Sequence, residues 1–238
     1  MSEYTRTIYP MECDYNGFMS PAFVLRQSLN YILEDIKRDG CDKSVLYPAH
    51  EAVWMISRMR FEQKKQLGMW DEVLFRTFPR VIENGRYIFY VEAYRGGELA
   101  LWLDTAFMAV KVKERRTVPL EDIEPMWKAP PREAQSKHLA RMKKMDCQFV
   151  RGGRHTVRFS DCDSNRHLTS PGYLDLVCDE LGYWGENARI MRFMQVDYAS
   201  EVLPGTEIRF EVGRDGDKTE LHGYKPDGKL AFSARCVF

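Results

Sequence analysis

The sequence predicts an α+β protein built from two similar halves, each a long helix wrapped by an antiparallel β-sheet. Three observations lead to this prediction. A Ser-Pro pair of the kind that opens helices occurs twice, at Ser20-Pro21 and at Ser170-Pro171. Runs of aromatic and β-branched residues, separated by turn signals, follow each pair. The two sets of segments also align with each other, which indicates a duplicated unit of roughly 100 residues.

The first half begins with a weak strand and continues with a long helix. Residues 3–11 alternate weakly between polar and apolar, and residues 14–17 form a turn signal. The helix begins at Ser20 and ends at the Asp-Gly pair of residues 39–40. Its buried face is expected to carry Leu25, Leu29, Ile32, Leu33 and Ile36. After a loop that ends near His50, the pattern changes to that of strands. Four are predicted: residues 53–63, 71–82, 86–95 and 99–113.

The periodicity stops between the halves. Residues 128–146 contain prolines and then basic and polar residues, which is typical of a linker, and a short exposed helix fits the second half of this segment. We therefore predict an N-terminal domain over residues 1–128, a linker over residues 129–146 and a C-terminal domain over residues 147–238.

The second half repeats the plan of the first, with a strand, a turn, a helix and four more strands. The helix after Ser170-Pro171 is predicted to run for about four turns, because apolar residues recur at helical spacing. These residues are Tyr173, Leu174, Val177, Leu181 and Trp184.

Composition indicates a folded protein whose basic and acidic residues are equal in number. Of the 238 residues 44% are hydrophobic, and 35 basic residues balance 35 acidic ones. This composition excludes a largely disordered chain and argues against a nucleic-acid binder with a basic face. No stretch approaches the ~18 apolar residues of a membrane span, and the first residues contain no apolar leader segment. A soluble cytoplasmic protein is therefore expected.

The cysteines predict neither disulfides nor a metal site. They are scattered along the chain, without a C-x-x-C pair or the spacing of metal ligands. Free, partly buried thiols in a reducing compartment are expected, and no cofactor or metal is predicted. The six are Cys13, Cys41, Cys147, Cys162, Cys178 and Cys236.

The two halves share an Asp and an Asn just before the helix. Asp14 and Asn16 align with Asp163 and Asn165, provided that one residue is inserted before the second Ser-Pro pair. Asp and Asn are common in turns because their side chains bond nearby backbone groups. A scaffolding role is therefore a sufficient explanation for the residues present in both copies.

The halves differ at the positions best suited to proton transfer. His167 corresponds to Phe18 or to its neighbour Gly17, and an ungapped alignment of the strand after the helix places Glu201 opposite Gln66. Imidazole and carboxylate groups are the common agents of proton transfer near neutral pH. The pattern predicts one working site in the second half and a degenerate copy in the first.

Two segments of the second half resemble a known family. Residues 160–176, SDCDSNRHLTSPGYLDL, are similar to the S-D-x-D-x-N-x-H-x-N-x-x-K-Y segment of the acyl-acyl carrier protein thioesterases, and residues 197–202, DYASEV, to their E-Y-x-x-E-C segment. The resemblance covers nearly the whole chain. It implies a tandem hotdog fold and an enzyme of fatty acid biosynthesis that releases fatty acids from acyl carrier protein. Carried over residue by residue, the family's catalytic groups fall on Asp163, Asn165, His167 and Glu201.

This chain departs from the family pattern at several positions. Val202 stands where the second segment has Cys, so a cysteine nucleophile is not expected there. The family's Asn and Lys after the His are replaced by Thr169 or Ser170 and by Gly172. Secondary contacts to the substrate are therefore expected to differ from those of the family.

Direct attack of water on the thioester is the expected mechanism, because the sequence has no G-x-S-x-G elbow and no metal pattern. Glu201 is the candidate general base, and Asp163 is the alternate base or the partner that orients His167. Asn165 is expected to hold the water or the carbonyl group. His167 would stabilise the oxyanion or protonate the leaving thiolate. Backbone N–H groups just before the second helix are expected to complete the oxyanion site.

The first half is expected to supply the acyl tunnel. Its Met side chains form one candidate lining, because Met fills irregular apolar space: Met19, Met55, Met59, Met69 and Met108. A basic group that could attract an acidic carrier protein consists of Lys111, Lys113, Arg115, Arg116, Arg141, Lys143 and Lys144. A solvated surface explains this group equally well.

Three other functions remain compatible with the sequence. The same fold and residues would serve a thioesterase for acyl-CoA, a non-catalytic module that binds acyl thioesters or carrier protein, or a dehydratase of hydroxyacyl thioesters. Either a monomer of two hotdog halves or a homodimer is expected.

Overall fold

The architecture comes from a computed structural model, which describes residues 1–132, 139–182 and 190–238. The strands are β1 (Ser2–Thr7), β2 (Ala52–Gln63), β3 (Glu72–Thr77), β4 (Val81–Glu83), β5 (Arg86–Arg95), β6 (Glu98–Lys111), β7 (Phe149–Thr156), β8 (Phe193–Tyr198), β9 (Glu207–Asp215), β10 (Lys218–Tyr224) and β11 (Leu230–Val237). The α-helices are α1 (Pro21–Arg38), α2 (Lys43–His50), α3 (Leu120–Ile123) and α4 (Ser170–Leu181). None of the helices in these ranges is long and apolar enough to cross a membrane.

All the strands named above pair antiparallel in one sheet. The strand order is symmetric about the centre of this sheet. The order is β1-β3-β5-β6-β2-β8-β11-β10-β9-β7, with the short β4 beside β5. Read outward from the junction of β2 and β8, the two halves contain corresponding strands in the same order, and each half has one long helix, α1 or α4. This is the double hotdog fold that the sequence predicts, with the halves related by a pseudo-two-fold axis.

The halves are joined at the centre by paired strands and by packed helices. Strand β2 pairs with β8, with Arg58 opposite Asp197 and Glu62 opposite Phe193, and α1 packs against α4. The strand pairing makes the sheet continuous across both halves. The domain boundaries at residues 128 and 147 therefore stay a prediction.

Helix α1 buries the apolar face that its sequence predicts, with one exception. Leu25, Ile32 and Ile36 are fully buried under the sheet, whereas Leu33 is 47% exposed. Leu33 lies one position from Ile32, about 100° around the helix, and so faces solvent. Helix α4 ends at Leu181, where Gly182 adopts a left-handed conformation (φ +61°). The predicted helix position of Trp184 lies outside the described residues.

The segment before β2 is a helix, which corrects the prediction of a loop up to His50. Residues Lys43–His50 form α2 although Pro48 lies inside it. A proline in a helix removes one backbone hydrogen bond, so the local sequence signal for this helix is weak. Packing of α2 against β2, with Leu46 fully buried, compensates for this weak helix signal.

The described part of the predicted linker, residues 139–146, lies on the sheet and contains no helix. The Leu139 carbonyl oxygen accepts a hydrogen bond from Arg58, and the Met142 N–H donates to Asp197 at 2.8 Å. Farther along, the Met145 N–H donates to the buried Glu220 at 3.3 Å. These bonds give further hydrogen-bond partners to buried polar side chains of the sheet. The expected exposed helix in this segment is wrong for residues 139–146.

Candidate active site

The loop before α4 is a tight turn organised by Asp163. Its carboxylate Oδ1 accepts the N–H of Asn165 at 2.7 Å, and its own N–H donates to the His167 carbonyl oxygen at 3.1 Å. Arg166 takes a left-handed conformation (φ +67°) that closes the turn. The result is a rigid loop that projects Asn165 and His167 next to the start of α4.

The first half contains the same loop, built around Asp14. Its Oδ1 accepts the N–H of Asn16 at 2.8 Å, and its own N–H donates to the Phe18 carbonyl oxygen at 2.7 Å. Gly17 has the left-handed conformation (φ +81°) that Arg166 has in the second loop. Phe18, and not Gly17, is therefore the counterpart of His167.

The helix starts of the two halves are also equivalent, which removes the predicted insertion. Ser20 caps α1 by accepting the N–H of Phe23 at 3.2 Å, and Thr169 caps α4 by accepting the N–H of Gly172 at 3.0 Å. Each cap lies six residues after the Asp of its loop, as the numbering shows (20 − 14 and 169 − 163). The prediction that Ser170 is the N-cap is wrong, because a Thr hydroxyl one residue earlier takes that role.

A second loop is held against the first one by the backbone. The N–H of Leu168 donates to the Val202 carbonyl oxygen at 2.9 Å, and in the first half the N–H of Met19 donates to Leu67 at 2.7 Å. This equivalence places Glu201 opposite Gln66, as the alignment predicts. Val202 itself is buried in the core.

Three of the four predicted catalytic residues line one cavity of about 480 Å³ between the halves. Asn165, His167 and Glu201 lie at it, whereas Asp163 does not line it. The rest of the lining consists of Lys43, Tyr47, Val53, Met55, Val110, Val112, Arg115, Arg166 and Leu203. All of these up to Arg115 belong to the first half, so the cavity has a polar end from the second half and a largely apolar wall from the first.

Asp163 does not line the cavity but contacts two residues that do, Asn165 and His167. Its Oδ2 accepts the side-chain Nδ2 of Asn165 at 3.3 Å, and its Oδ1 lies 4.0 Å from His167 Nδ1. The first contact orients the Asn165 amide, leaving its carbonyl oxygen and second N–H for other partners. The second is an electrostatic contact, too long for a hydrogen bond.

Glu201 is paired across the junction of the halves. Arg115 Nη1 donates to Glu201 Oε2 at 2.8 Å. Both side chains line the cavity, and neither the sequence periodicity nor the family resemblance points to their contact. Lys43 and Arg166 add two more cationic side chains to the lining. The lining of the cavity therefore has more cationic side chains than carboxylates.

Two of the backbone N–H groups just before α4 are engaged in the fold and are not available to the predicted oxyanion site. The N–H of Leu168 donates to Val202 and that of Thr169 to the Asp161 carbonyl oxygen at 3.0 Å. Pro171 has no N–H, and the N–H of Gly172 is bound by the cap. Asn165 and His167, whose side chains can donate hydrogen bonds, line the cavity.

The loop is anchored at its base by hydrogen bonds to Asp161. His155 Nε2 lies 2.8 Å from Asp161 Oδ2, which also accepts the N–H of Arg158 at 2.7 Å. Partial burial opposes ionisation of Asp161, but the bonds from Arg158 and His155 outweigh it and hold the pKa of this carboxyl below its usual value. The first half has Arg6 and Glu12 in the same arrangement.

The thiols near the site are poor nucleophiles. Burial, together with the neighbouring Asp161 and Asp163, raises the pKa of the Cys162 thiol, and burial raises that of Cys178 strongly. Because the thiolate is the nucleophilic form, both groups are disfavoured as attacking groups at neutral pH. Within the described ranges, no three His, Cys, Asp or Glu side chains are grouped as a metal site requires.

Sequence reasoning missed the contribution of α2 and only partly identified the apolar wall. Lys43 and Tyr47 line the cavity from a helix that was predicted as a loop. Of the five Met side chains proposed for the lining, only Met55 is there; Met19 and Met59 are core residues, and Met69 is 45% exposed. Asp42 before a Val-Leu pair is the one local signal for α2.

Several basic residues proposed to attract carrier protein have acidic neighbours in the first half. Exposed ion pairs are weak interactions, and an acidic neighbour offsets the positive charge of each of these residues. Attraction of a carrier protein by this surface stays a prediction. The pairs are Lys111 with Glu114 at 3.7 Å, Lys113 with Glu51 at 3.3 Å and Arg116 with Glu114.

The C-terminal part of the chain matches a known family. Residues 147–230 match the family model of the acyl-ACP thioesterase C-terminal domain. The C-terminal part of the chain is therefore similar to the acyl-ACP thioesterases. This match indicates a thioester hydrolase. No curated protein sequence matches the chain at a significant level.

Several solved structures share the fold of this chain over nearly its whole length. An acyl-ACP thioesterase from Bacteroides thetaiotaomicron has a TM-score of 0.83 at 15% identity, covering 100% of this chain and 97% of its own. The 12:0-ACP thioesterase from Umbellularia californica has a TM-score of 0.80 at 16% identity, covering 99% and 96%. A MaoC-like dehydratase from Phytophthora capsici has a TM-score of 0.67 at 12% identity, covering 100% and 95%. These likenesses establish the fold, and the dehydratase shows that the fold by itself does not select the reaction.

Proposed function

We propose that the chain hydrolyses the thioester between a fatty acyl group and acyl carrier protein in the cavity between the halves. One observation carries the proposal: Asn165, His167 and Glu201 line the polar end of a cavity whose other wall is apolar. A fatty acyl thioester has a long apolar chain joined to one reactive polar group. The cavity offers both environments side by side, as ligand sites commonly do.

Glu201 is the proposed general base. Its carboxylate takes a proton from a water molecule as the water oxygen attacks the thioester carbonyl carbon. The C–O bond forms while the carbonyl π electrons move to the oxygen, which gives a tetrahedral oxyanion. Collapse of this intermediate breaks the C–S bond and releases the thiolate. The position of Glu201 at the cavity, with Asp163 outside the lining, supports Glu201 over Asp163 in this role.

His167 and Asn165 are proposed to stabilise the oxyanion and the leaving group. Preorganised side-chain donors aimed at developing charge are typically worth roughly 3 kcal/mol of barrier each. In a protonated state, His167 can pass its proton to the departing thiolate, after which the proton on Glu201 restores the starting charge state through solvent. Asp163 is proposed as the positioning group, because it bonds the Asn165 amide and lies 4.0 Å from the imidazole.

The cationic side chains at the cavity support a substrate on a phosphopantetheine arm. Lys43 and Arg166 line the cavity along with the polar residues. The arm carries a phosphate between the thiol and the carrier protein, and the same phosphate occurs in CoA. Ammonium and guanidinium groups bind phosphate through charge-assisted hydrogen bonds. The shared phosphate does not distinguish carrier protein from CoA as the substrate carrier, so an activity assay on both substrates is needed.

Thiol release from acyl-carrier-protein substrates of several chain lengths tests the proposal, with the matching acyl-CoA series as comparison. We expect free thiol and free fatty acid in equal amounts, and higher kcat/KM on carrier protein. The Glu201→Gln variant, melting like the parent, should lose turnover. Binding without turnover in the parent would indicate a binding module, an enoyl product without thiol would indicate a dehydratase, and faster turnover of CoA would move the substrate to CoA.

A further inference from the structure

We propose that Arg115, supplied by the first half, is a positioning residue for Glu201. The inference rests on the proposed role of Glu201 as general base. It assigns to the first half a direct part in organising the reacting groups, beyond an apolar wall. Arg115 Nη1 donates to Glu201 Oε2 at 2.8 Å, and both side chains line the cavity.

The loop that carries Arg115 is held by several backbone bonds. Lys111 N–H donates to the Arg116 carbonyl oxygen at 2.9 Å, and Arg115 N–H donates to the Lys111 carbonyl oxygen at 2.9 Å. Just before the turn, Val112 N–H donates to the Glu51 carbonyl oxygen at 3.0 Å. The loop therefore closes on itself and is tied to the start of β2. Its backbone is poorly able to shift when the Arg115 side chain changes.

Arg115 itself has a left-handed backbone conformation, with φ +55°. A residue with a Cβ is uncommon in this region, where Gly is usually found. This conformation ends the turn and sets the direction in which the side chain leaves it. A Gly at this position would relax the backbone but would remove the guanidinium group. The combination of an unfavourable backbone and a long cationic side chain points to a role for that side chain.

The other charged side chains of the loop are paired within the first half. Lys111 and Arg116 contact Glu114, and Lys113 contacts Glu51. Arg115 is the cation of this loop that crosses to the second half, where it meets Glu201. Exposed ion pairs contribute little to stability, so the expected consequence of this contact is orientation of Glu201.

The geometry of the pair suits a base. The bond from Arg115 occupies Oε2 of the carboxylate, so that Oε1 is the oxygen available to take a proton from water. Glu201 follows the end of β8 by three residues and is not part of a strand, so strand pairing does not fix its side chain. A misplacement of about 1 Å in a reacting group can cost roughly 100-fold in rate. Loss of Arg115 should therefore act on kcat.

The test compares Arg115→Ala, Arg115→Lys and Arg154→Ala in the full chain. Ala keeps the Cβ and hence the backbone strain, and Lys keeps the charge. Arg154 is the matched control, because it forms an exposed pair with Glu207 at 3.0 Å and does not line the cavity. We expect kcat of Arg115→Ala to fall about 10- to 100-fold. KM and melting temperature should change little, Lys should recover part of the rate, and the control should match the parent.

Two further measurements separate positioning from other roles. Guanidinium ions at millimolar concentration should restore part of the kcat of Arg115→Ala, because the missing side chain leaves a solvent-accessible place beside Glu201. In a Glu201→Gln background, Arg115→Ala should add no further loss, since its effect passes through Glu201.

Three results would overturn the inference: an unchanged kcat in Arg115→Ala, a loss confined to KM, or full additivity with Glu201→Gln. An active Glu201→Gln enzyme would instead refute the proposed base, and a parent without thiol release would refute the proposed function. The failures of the two proposals are therefore distinguishable.

Discussion

His167 and Phe18 occupy the same place in two copies of one loop. The carbonyl oxygen of each accepts the N–H of the Asp four residues earlier, at 3.1 Å from Asp163 and at 2.7 Å from Asp14. The backbone is thus repeated while the side chain is changed from an imidazole to a phenyl ring. The same contrast holds for Glu201 and its counterpart in the first half.

This asymmetry predicts that the proton-transfer groups lie in the second half alone. His167→Ala and Glu201→Gln should lower kcat by about 10²- to 10⁴-fold, the usual contribution of a general acid or base. Gln66→Ala should leave kcat within a few-fold, and Phe18→Ala should act through packing. Single-turnover hydrolysis with melting temperatures alongside checks these expectations. Equal losses in both halves, or an active His167→Ala enzyme, would contradict a single site in the second half.

The apolar wall of the cavity predicts control of acyl-chain length. Val53→Phe should fill part of the roughly 480 Å³ space and reduce kcat/KM for long chains by about 10-fold or more. Short chains should be affected less, because they leave the filled region empty. A chain-length series on carrier protein measures the shift. Leu33→Phe is the control, since Leu33 is exposed on α1 and does not line the cavity; an equal loss at every length would argue against this wall as the acyl site.

The ion pair between Arg58 and Asp197 is expected to contribute strongly to stability at the junction of the halves. Arg58 Nε donates to Asp197 Oδ1 at 2.7 Å, and both are buried between β2, β8 and the linker. Asp197→Ala should lower the free energy of unfolding by about 3–5 kcal/mol, because it leaves a buried cation unpaired. The double variant Arg58→Met with Asp197→Leu should lose less free energy of unfolding than the sum of the losses in the single variants Arg58→Met and Asp197→Leu. Urea titrations measure all of these, and strict additivity would show that the pair is not coupled.

The folded protein is expected to lose stability in acid because Glu220 becomes protonated. Its carboxylate is 1% exposed, with His222 Nε2 at 2.7 Å and Arg235 Nε at 3.0 Å. Burial favours the neutral form, but the bonds from His222 and Arg235 outweigh it and hold the pKa of Glu220 below its ordinary value. The unfolded chain, with a pKa of about 4.3, binds the proton first as pH falls. Stability from this group is therefore complete above that pH and is lost as pH falls through the folded pKa.

Melting temperatures between about pH 7 and pH 3 test the role of Glu220. Glu220→Gln should melt lower than the parent at neutral pH, and the difference should narrow as the parent carboxyl becomes protonated in acid. Glu207→Gln serves as the exposed control, since Glu207 pairs with Arg154 at the surface. A difference that stays constant down to pH 3 would show that the charge of Glu220 is not what stabilises the fold.

Local patterns were sufficient to predict the duplicated plan and the candidate residues. The Ser-Pro pairs, the Asp-x-Asn turns and the alternating strands depend on residues a few positions apart, so that the sequence specifies them directly. The same holds for the correspondence of Glu201 with Gln66, since no gap separates the aligned strands. The N-cap at Thr169 was missed because two hydroxyl residues in a row can each cap a helix, and only the hydrogen bond from the Gly172 N–H to the Thr169 hydroxyl distinguishes them.

Only the tertiary structure decided which groups meet at the cavity. Arg115 and Glu201 are 86 residues apart, and their contact follows from the pairing of β2 with β8, which no local pattern encodes. Helix α2 forms although it contains Pro48, because its packing on β2 outweighs the weak local helix signal. By itself the sequence determined the two loops and their different side chains. Long-range strand pairing determined that the first half supplies a wall, and a charged partner, to the site of the second.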